Sequence, residues 1–229
     1  MKNIYYPHID GIRFFAVLLV ILFHFNKNLF PYGYLGVDIF FVISGFVITK
    51  LIYTELELKK FSLINFYIRR FKRIMPALIF MIFTCSIAYL YFSFKGDSAN
   101  FLYNLKTAFY SLFGISNLFL LFTGSKYFVE QNQNPFIHTW SLGVEEQFYL
   151  FWPIFLIYVF FFKKYFFIIN AIFLIIIIII INLTYSFENL LSVNILNNFY
   201  SPVFKSFELL IGANLFFIHS APRSLSLSL

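Results

Sequence analysis

Apolar stretches long enough to cross a lipid bilayer recur along most of this chain and constrain its fold more than any other feature. A hydrocarbon core of roughly 30 Å needs about 17–25 apolar residues as helix. Residues 12–30, 37–53, 74–94, 142–162, 165–183 and 203–218 meet that need. A weaker seventh stretch, 102–122, carries Asn104, Lys106, Ser111, Gly114, Ser116 and Asn117. The 229 residues are 61% hydrophobic and 12% charged, more apolar surface than one water-soluble core of that size buries. The expected fold class is therefore an all-α integral membrane protein with about 6–7 transmembrane helices and a re-entrant or interfacial segment. Part of the Phe, Ile, Tyr and Asn excess, including the Ile run at 175–181, fits codon bias, so aromatic content carries little weight. Cys85 is the sole cysteine, which excludes an internal disulfide. The net charge of +7 reads as basic cytoplasmic loops, not as a nucleic-acid footprint.

The basic residues set an expected topology. The first apolar stretch has Asp10 and Arg13 at its start, His24 near its end and no small-residue cleavage site, so it reads as a retained helix, not a signal peptide. Residues 50–73 hold seven of the seventeen Lys and Arg, and a short loop that basic belongs in the cytoplasm. The N-terminus is then cytoplasmic and residues 27–36 external. Lys163 and Lys164 place the end of the 142–162 helix inside and its start, with Glu145 and Glu146, at the outer mouth. The 74–94 helix also ends outside, so 102–122 must be re-entrant, interfacial or a tight double pass. Residues 1–219 read as one membrane domain. The polar alternation at 220–229 reads as a disordered tail or the product of a disrupted reading frame.

Ionisable groups within spanning helices are costly, and each is a candidate for function. Arg13 and His24, eleven residues apart, share one helix face about 16 Å apart along the axis. One face thus carries a fixed cation and a titratable base; snorkelling for Arg13 and an interhelical hydrogen bond for His24 are the bland alternatives. Asp38 opens the second helix, where a carboxylate could orient an imidazole or simply suit the helix dipole. Arg70 and Arg73 lie three apart at a helix start near Pro76. They suit either a phosphate clamp or a positive-inside anchor. Glu145 and Glu146 point about 100° apart, one toward a cavity and the other to the helix start or water. Trp152 suits an aromatic belt, and Glu208 with Lys205 a buried ion pair joining two helices. His8, His138 and His219 have no metal-ligand spacing, so no metal is expected.

Four blocks carry a family resemblance. "YYPHIDGIRFFAVLLVILFHF", "GYLGVDIFFVISGFVIT", "FYIRRFKRIMPAL" and "HTWSLGVEEQFYLFWPI" resemble, in order and spacing, the membrane-bound acyltransferase-3 family of bacterial surface-polysaccharide O-acyltransferases. "YSPVFKSFELLIGANL" looks like a fifth, with Lys205 where the family usually has arginine. The resemblance implies a multi-pass enzyme of the bacterial inner membrane. It would pass an acyl group, usually acetyl, from cytosolic acyl-CoA to hydroxyls of an envelope glycan such as surface polysaccharide or lipopolysaccharide. It implies no tightly bound cofactor and, besides membrane lipid, no partner beyond donor and acceptor. The family's first-helix arginine and histidine fall on Arg13 and His24, its arginine motif on Arg70 and Arg73, and its Trp-Ser and paired-glutamate block on Trp140, Ser141, Glu145 and Glu146. Members continue for several further helices, so the chain reads as truncated.

With that resemblance, His24 is the expected general base, oriented by a carboxylate such as Asp38, with the paired glutamates as further catalytic candidates. Arg70 and Arg73, with Arg13, are the expected donor-binding cations, and Trp140 and Ser141 the expected acceptor side. A transporter or flippase would also place ionisable groups in the membrane. An inactive fragment is the third reading.

Overall fold

In a computed structural model the described residues are 7–93, 98–125, 134–161 and 199–220. Among them are seven α-helices and no strand: α1 (Pro7–Phe25), α2 (Leu35–Glu57), α3 (Leu63–Ser93), α4 (Ser98–Leu112), α5 (Ser116–Phe122), α6 (Thr139–Phe161) and α7 (Pro202–Ser220). Four of these, α1, α2, α3 over Leu63–Tyr91 and α6, are long and apolar enough to cross a membrane. Phe14, Phe15, Phe80 and Phe83 each stand more than half exposed on α1 and α3. Apolar faces of that extent suit hydrocarbon, not water.

Several boundaries differ from expectation for local reasons. Helix α1 stops at Phe25 instead of running to residue 30, because the Asn26 side-chain oxygen accepts the backbone N–H groups of Asn28 (3.0 Å) and Leu29 (3.1 Å). An asparagine that bonds its own backbone competes with the helix ladder. Helix α3 starts at Leu63, not near Ile74, so Arg70 and Arg73 lie within a long helix and Pro76 is interior to it. Ser62 precedes this start; its carbonyl accepts Phe66 N–H at 2.9 Å and its hydroxyl faces Asn65 N–H at 3.4 Å, an N-cap arrangement. Stretch 102–122 is two helices broken at Gly114, whose φ is +66°. At about 22 Å and 10 Å, neither α4 nor α5 crosses a bilayer core alone. The expected helix at 165–183 and the tail from residue 221 lie outside the described residues.

The chain gathers into two compact units, Met1–Glu55 with Lys205–Leu229, and Leu56–Phe204. In the first, glycines bring three helices to backbone contact. A Cβ on Gly33 would meet Leu19 O and the Phe23 Cβ, and one on Gly36 would meet Ala16 O and the Val20 side chain, so α1 and α2 run antiparallel. A Cβ on Gly45 would meet Leu209 O, and one on Gly212 would meet Val42 O. Each glycine thus faces the carbonyl three residues ahead of the other glycine. Lys205 reaches Asp38, each seven residues before its glycine, so α2 and α7 pack in parallel.

The second unit is organised by polar side chains. Asn104, Thr107, Ser111, Ser116, Asn117, Asn134 and Thr139 are all buried. Asn134 donates to the Thr107 hydroxyl (2.9 Å), the Ser111 and Thr139 hydroxyls share a bond (2.6 Å), and the Ser116 hydroxyl donates to Thr139 O (3.0 Å). These bonds tie α4 and α5 to the start of α6. Of the residues that weakened 102–122 as a spanning helix, all but the exposed Lys106 are turned inward. Buried polar groups need such partners, most of all where no water reaches them.

Candidate functional site

The second unit brings together two of the expected site residues. Arg70 on α3 donates from Nη2 to Glu146 Oε1 on α6 at 2.8 Å, and its Cζ lies 3.7 Å from the centroid of the Tyr149 ring. Glu146 and Tyr149 are three apart, one helical turn, so they present the carboxylate and the ring on one face. Tyr67 donates to Leu150 O at 2.7 Å. As α3 advances from Tyr67 to Arg70, its partner on α6 steps back from Leu150 to Glu146, so the two helices pass in opposite senses. That sense agrees with the expected topology. The depth does not: an ion pair this short puts Arg70 and Glu146 at one level, whereas the expectation separated them to the inner and outer mouths.

The turn between α4 and α5 backs this pair. A Cβ on Gly114 would lie 3.3 Å from the Glu146 Cβ, so the turn lies directly over the glutamate stem. The next residue, Gln147, donates to Gly114 O (3.0 Å) and Asn117 Oδ1 (2.8 Å) and accepts from Asn117 Nδ2 (3.3 Å). Gly143, one turn earlier, leaves room for the Asn117 amide, which a Cβ there would meet at 2.7 Å. A cavity of about 380 Å³ is lined by Arg70 and Glu146 together with Ile68, Phe71, Ile74 and Met75.

Of the paired glutamates, Glu146 is the one that lines the cavity. Glu145 is buried and Glu146 is turned to Arg70. Trp140 is 1% exposed against Phe199 (4.8 Å) and Tyr200 (5.9 Å). Ser141 donates to His138 O at 3.2 Å, within its own helix start. Trp152 is not a belt residue: it is 3% exposed and stacked between Phe148 (5.0 Å) and Phe155 (5.2 Å).

In the first unit, His24 stands exposed near the end of α1 with Nδ1 2.7 Å from Val20 O. A carbonyl only accepts, so Nδ1 carries the proton and Nε2 is the basic nitrogen. Asp38 is not brought to it. Gly36 lies beside Ala16 and Val20, so Asp38 is level with Ala16, about 12 Å short of His24 along the helix axis. Its carboxylate accepts from Lys205 Nζ at 2.5 Å, and Lys205 also donates to Glu208 at 3.0 Å. The expected Lys205–Glu208 pair is present, and Asp38 extends it across to α2. Arg13 lies 5.8 Å over the Phe40 ring, with Nε buried and without a hydrogen-bond partner among the described residues. Arg73 is exposed. No cluster of three potential metal ligands occurs among the described residues.

The acyltransferase-3 model, an acyltransferase domain, matches residues 6–228. The chain belongs to the acyltransferase-3 family. Among its relatives, the peptidoglycan O-acetyltransferase OatA of Listeria monocytogenes is 41% identical over 156 residues, 67% of this chain and 24% of that protein. The O-acetyltransferase OatA of Staphylococcus aureus strain NCTC 8325 is 37% identical over 156 residues, 68% of this chain and 25% of that protein. The chain thus spans about a quarter of the length of the curated relatives it matches. No solved structure matches.

Within this acyltransferase-3 chain, sequence reasoning passed over Tyr149, Gln147, Asn117, Gly114 and Gly143. A signal for two of them, Gly143 and Gln147, was present beside Glu146. Gly143, Glu146 and Gln147 are three and four residues apart in an otherwise apolar helix, a small and two polar side chains on one face. Such a face needs polar company, and 102–122 was the stretch able to supply it.

Proposed function

We propose that this chain is the membrane part of an O-acetyltransferase that moves an acetyl group from acetyl-CoA to a hydroxyl of a cell-wall glycan. Family membership and the names of its relatives support acyl transfer to that class of acceptor. The observation that carries the mechanism is the 2.7 Å contact of His24 Nδ1 with Val20 O. It fixes the tautomer a general base needs, and does so with a backbone carbonyl in the place expected for Asp38. His24 Nε2 takes the proton of the acceptor hydroxyl as its oxygen attacks the thioester carbonyl. The C–S bond breaks, the CoA thiolate leaves and regains a proton, and an ester remains on the glycan. Arg73, exposed on α3 well past its start at Leu63, meets phosphates of the donor. The chain lies in the bacterial cytoplasmic membrane with its N-terminus and residues 50–73 in the cytoplasm, where acyl-CoA is made.

The test is transfer of label from acetyl-labelled acetyl-CoA to peptidoglycan in membranes containing this chain. Base-labile label on the glycan, absent from membranes lacking the chain, is the expected result. Label that stays wholly in the donor pool overturns the enzymatic reading and leaves a transporter or an inactive fragment.

A further inference from the structure

Arg70 and Arg73 are three residues apart on α3, yet their surroundings differ. Arg73 is exposed and makes no ion pair among the described residues. Arg70 is held on several sides. Its Nη2 bonds Glu146 at 2.8 Å, its Cζ is 3.7 Å from the Tyr149 ring centroid, and its Nε is buried without a hydrogen-bond partner among the described residues. The Glu146 stem is in turn backed by Gly114, and Gln147 beside it is bonded to Gly114 O and Asn117. A phosphate arriving at Arg70 would displace a charge-assisted bond or lift the guanidinium off the ring. It would also meet the Glu146 carboxylate, a like charge at contact range.

The geometry points to a division of labour along α3. Arg70 is a positioning residue that fixes Glu146 at the wall of the cavity. Arg73 is the guanidinium open to the donor's phosphates. The first half stands on the ion pair alone, and the second rests on the acyl-CoA reading above. The Arg70 environment accounts for why a lysine would not serve there: the planar fork bonds a carboxylate at its edge while its face lies on an aromatic ring.

Thermal melting of the full chain in detergent reads the first half, and binding of coenzyme A by equilibrium dialysis reads the second. Arg70→Gln and Glu146→Gln should each lower the melting temperature by several degrees, with the double variant no lower than the worse single one. The reversed pair, Arg70→Glu with Glu146→Arg, should melt well above either reversal alone, a rescue that general packing loss would not give. Arg73→Gln should melt like the parent but bind coenzyme A about tenfold more weakly. The double Gln variant should bind it within about twofold of the parent. In membranes, Arg70→Gln should lower kcat at an unchanged KM for acyl-CoA, and Arg73→Gln should raise KM. Additive melting losses, or failure of the reversed pair to recover, would overturn the role of Arg70. Equal loss of coenzyme A binding in the double Gln variant and in Arg73→Gln would overturn the division. If the parent binds no coenzyme A, the acyl-CoA reading itself fails, and the melting cycle alone then upholds or overturns Arg70 as the anchor of Glu146.

Discussion

In the first unit one ammonium lies between two carboxylates, Lys205 with Asp38 and Glu208; in the second one guanidinium lies between a carboxylate and a ring, Arg70 with Glu146 and Tyr149. The helices beneath these clusters are joined in different ways. Helices α2 and α7 meet backbone to backbone at Gly45 and Gly212, and the ions sit two turns away on the same seam. Helices α4, α5 and α6 meet through amide and hydroxyl bonds around a turn at Gly114. Close glycine packing gives a rigid seam that tolerates no added atom. A polar network gives a shaped surface that can aim one side chain. The comparison assigns the first cluster to holding helices together and the second to presenting Glu146.

That assignment can be broken, most strongly at Lys205. Lys205→Met leaves two partly buried carboxylates facing each other and should cost about 3–5 kcal/mol, read from thermal unfolding in detergent. Adding Asp38→Asn and Glu208→Gln should recover most of the loss, since a structural ion cluster can be replaced as a whole. A triple variant that stays as unstable as Lys205→Met would show that the charges do more than join helices.

A smaller loss is expected at the seam itself. Gly212→Ala drives a methyl into Val42 O, and both atoms in that clash belong to rigid helices. Parting the helices should cost about 1–3 kcal/mol, with lower accumulation in membranes. Gly124→Ala meets nothing within 4 Å and offers the control for space, although its φ of +70° carries its own strain.

Gln147→Leu removes the bonds to Gly114 O and Asn117 and should cost about 1–2 kcal/mol. A loss of acyl transfer larger than that destabilisation would support the second cluster as a platform for Glu146. The smallest perturbation tests topology. On a Cys85→Ser background, Asn28→Cys should react with an impermeant thiol reagent added outside, and Lys60→Cys should not. Both positions are exposed, so the reversed pattern would invert the proposed orientation.

Much of the fold was legible because membrane helices announce themselves by length and apolarity. Helices α2, α6 and α7 lie close to where hydropathy put them. The ends of α1 and α3 were missed because they depend on single caps, Asn26 and Ser62, which hydropathy does not register. Within the site, Arg13, His24, Arg70 and Glu146 stood out as ionisable groups in apolar surroundings. Their partners did not. Asp38 was assigned to the nearest helix in sequence, whereas Lys205 lies far along the chain, and only packing at Gly45 and Gly212 brings the two together. Tyr149 was one aromatic among many until Arg70 lay on it.

His24 is the proposed general base of the transfer. His24→Gln retains a hydrogen-bonding side chain of similar reach but accepts no proton near neutral pH. The decisive measurement is transfer of labelled acetyl from acetyl-CoA to peptidoglycan in membranes holding equal amounts of parent and His24→Gln protein. Loss of base catalysis should lower the ester signal by about 100- to 10,000-fold, with accumulation and coenzyme A binding unchanged. A variant that keeps transfer within a few-fold of the parent would contradict the account and remove His24 from the chemistry.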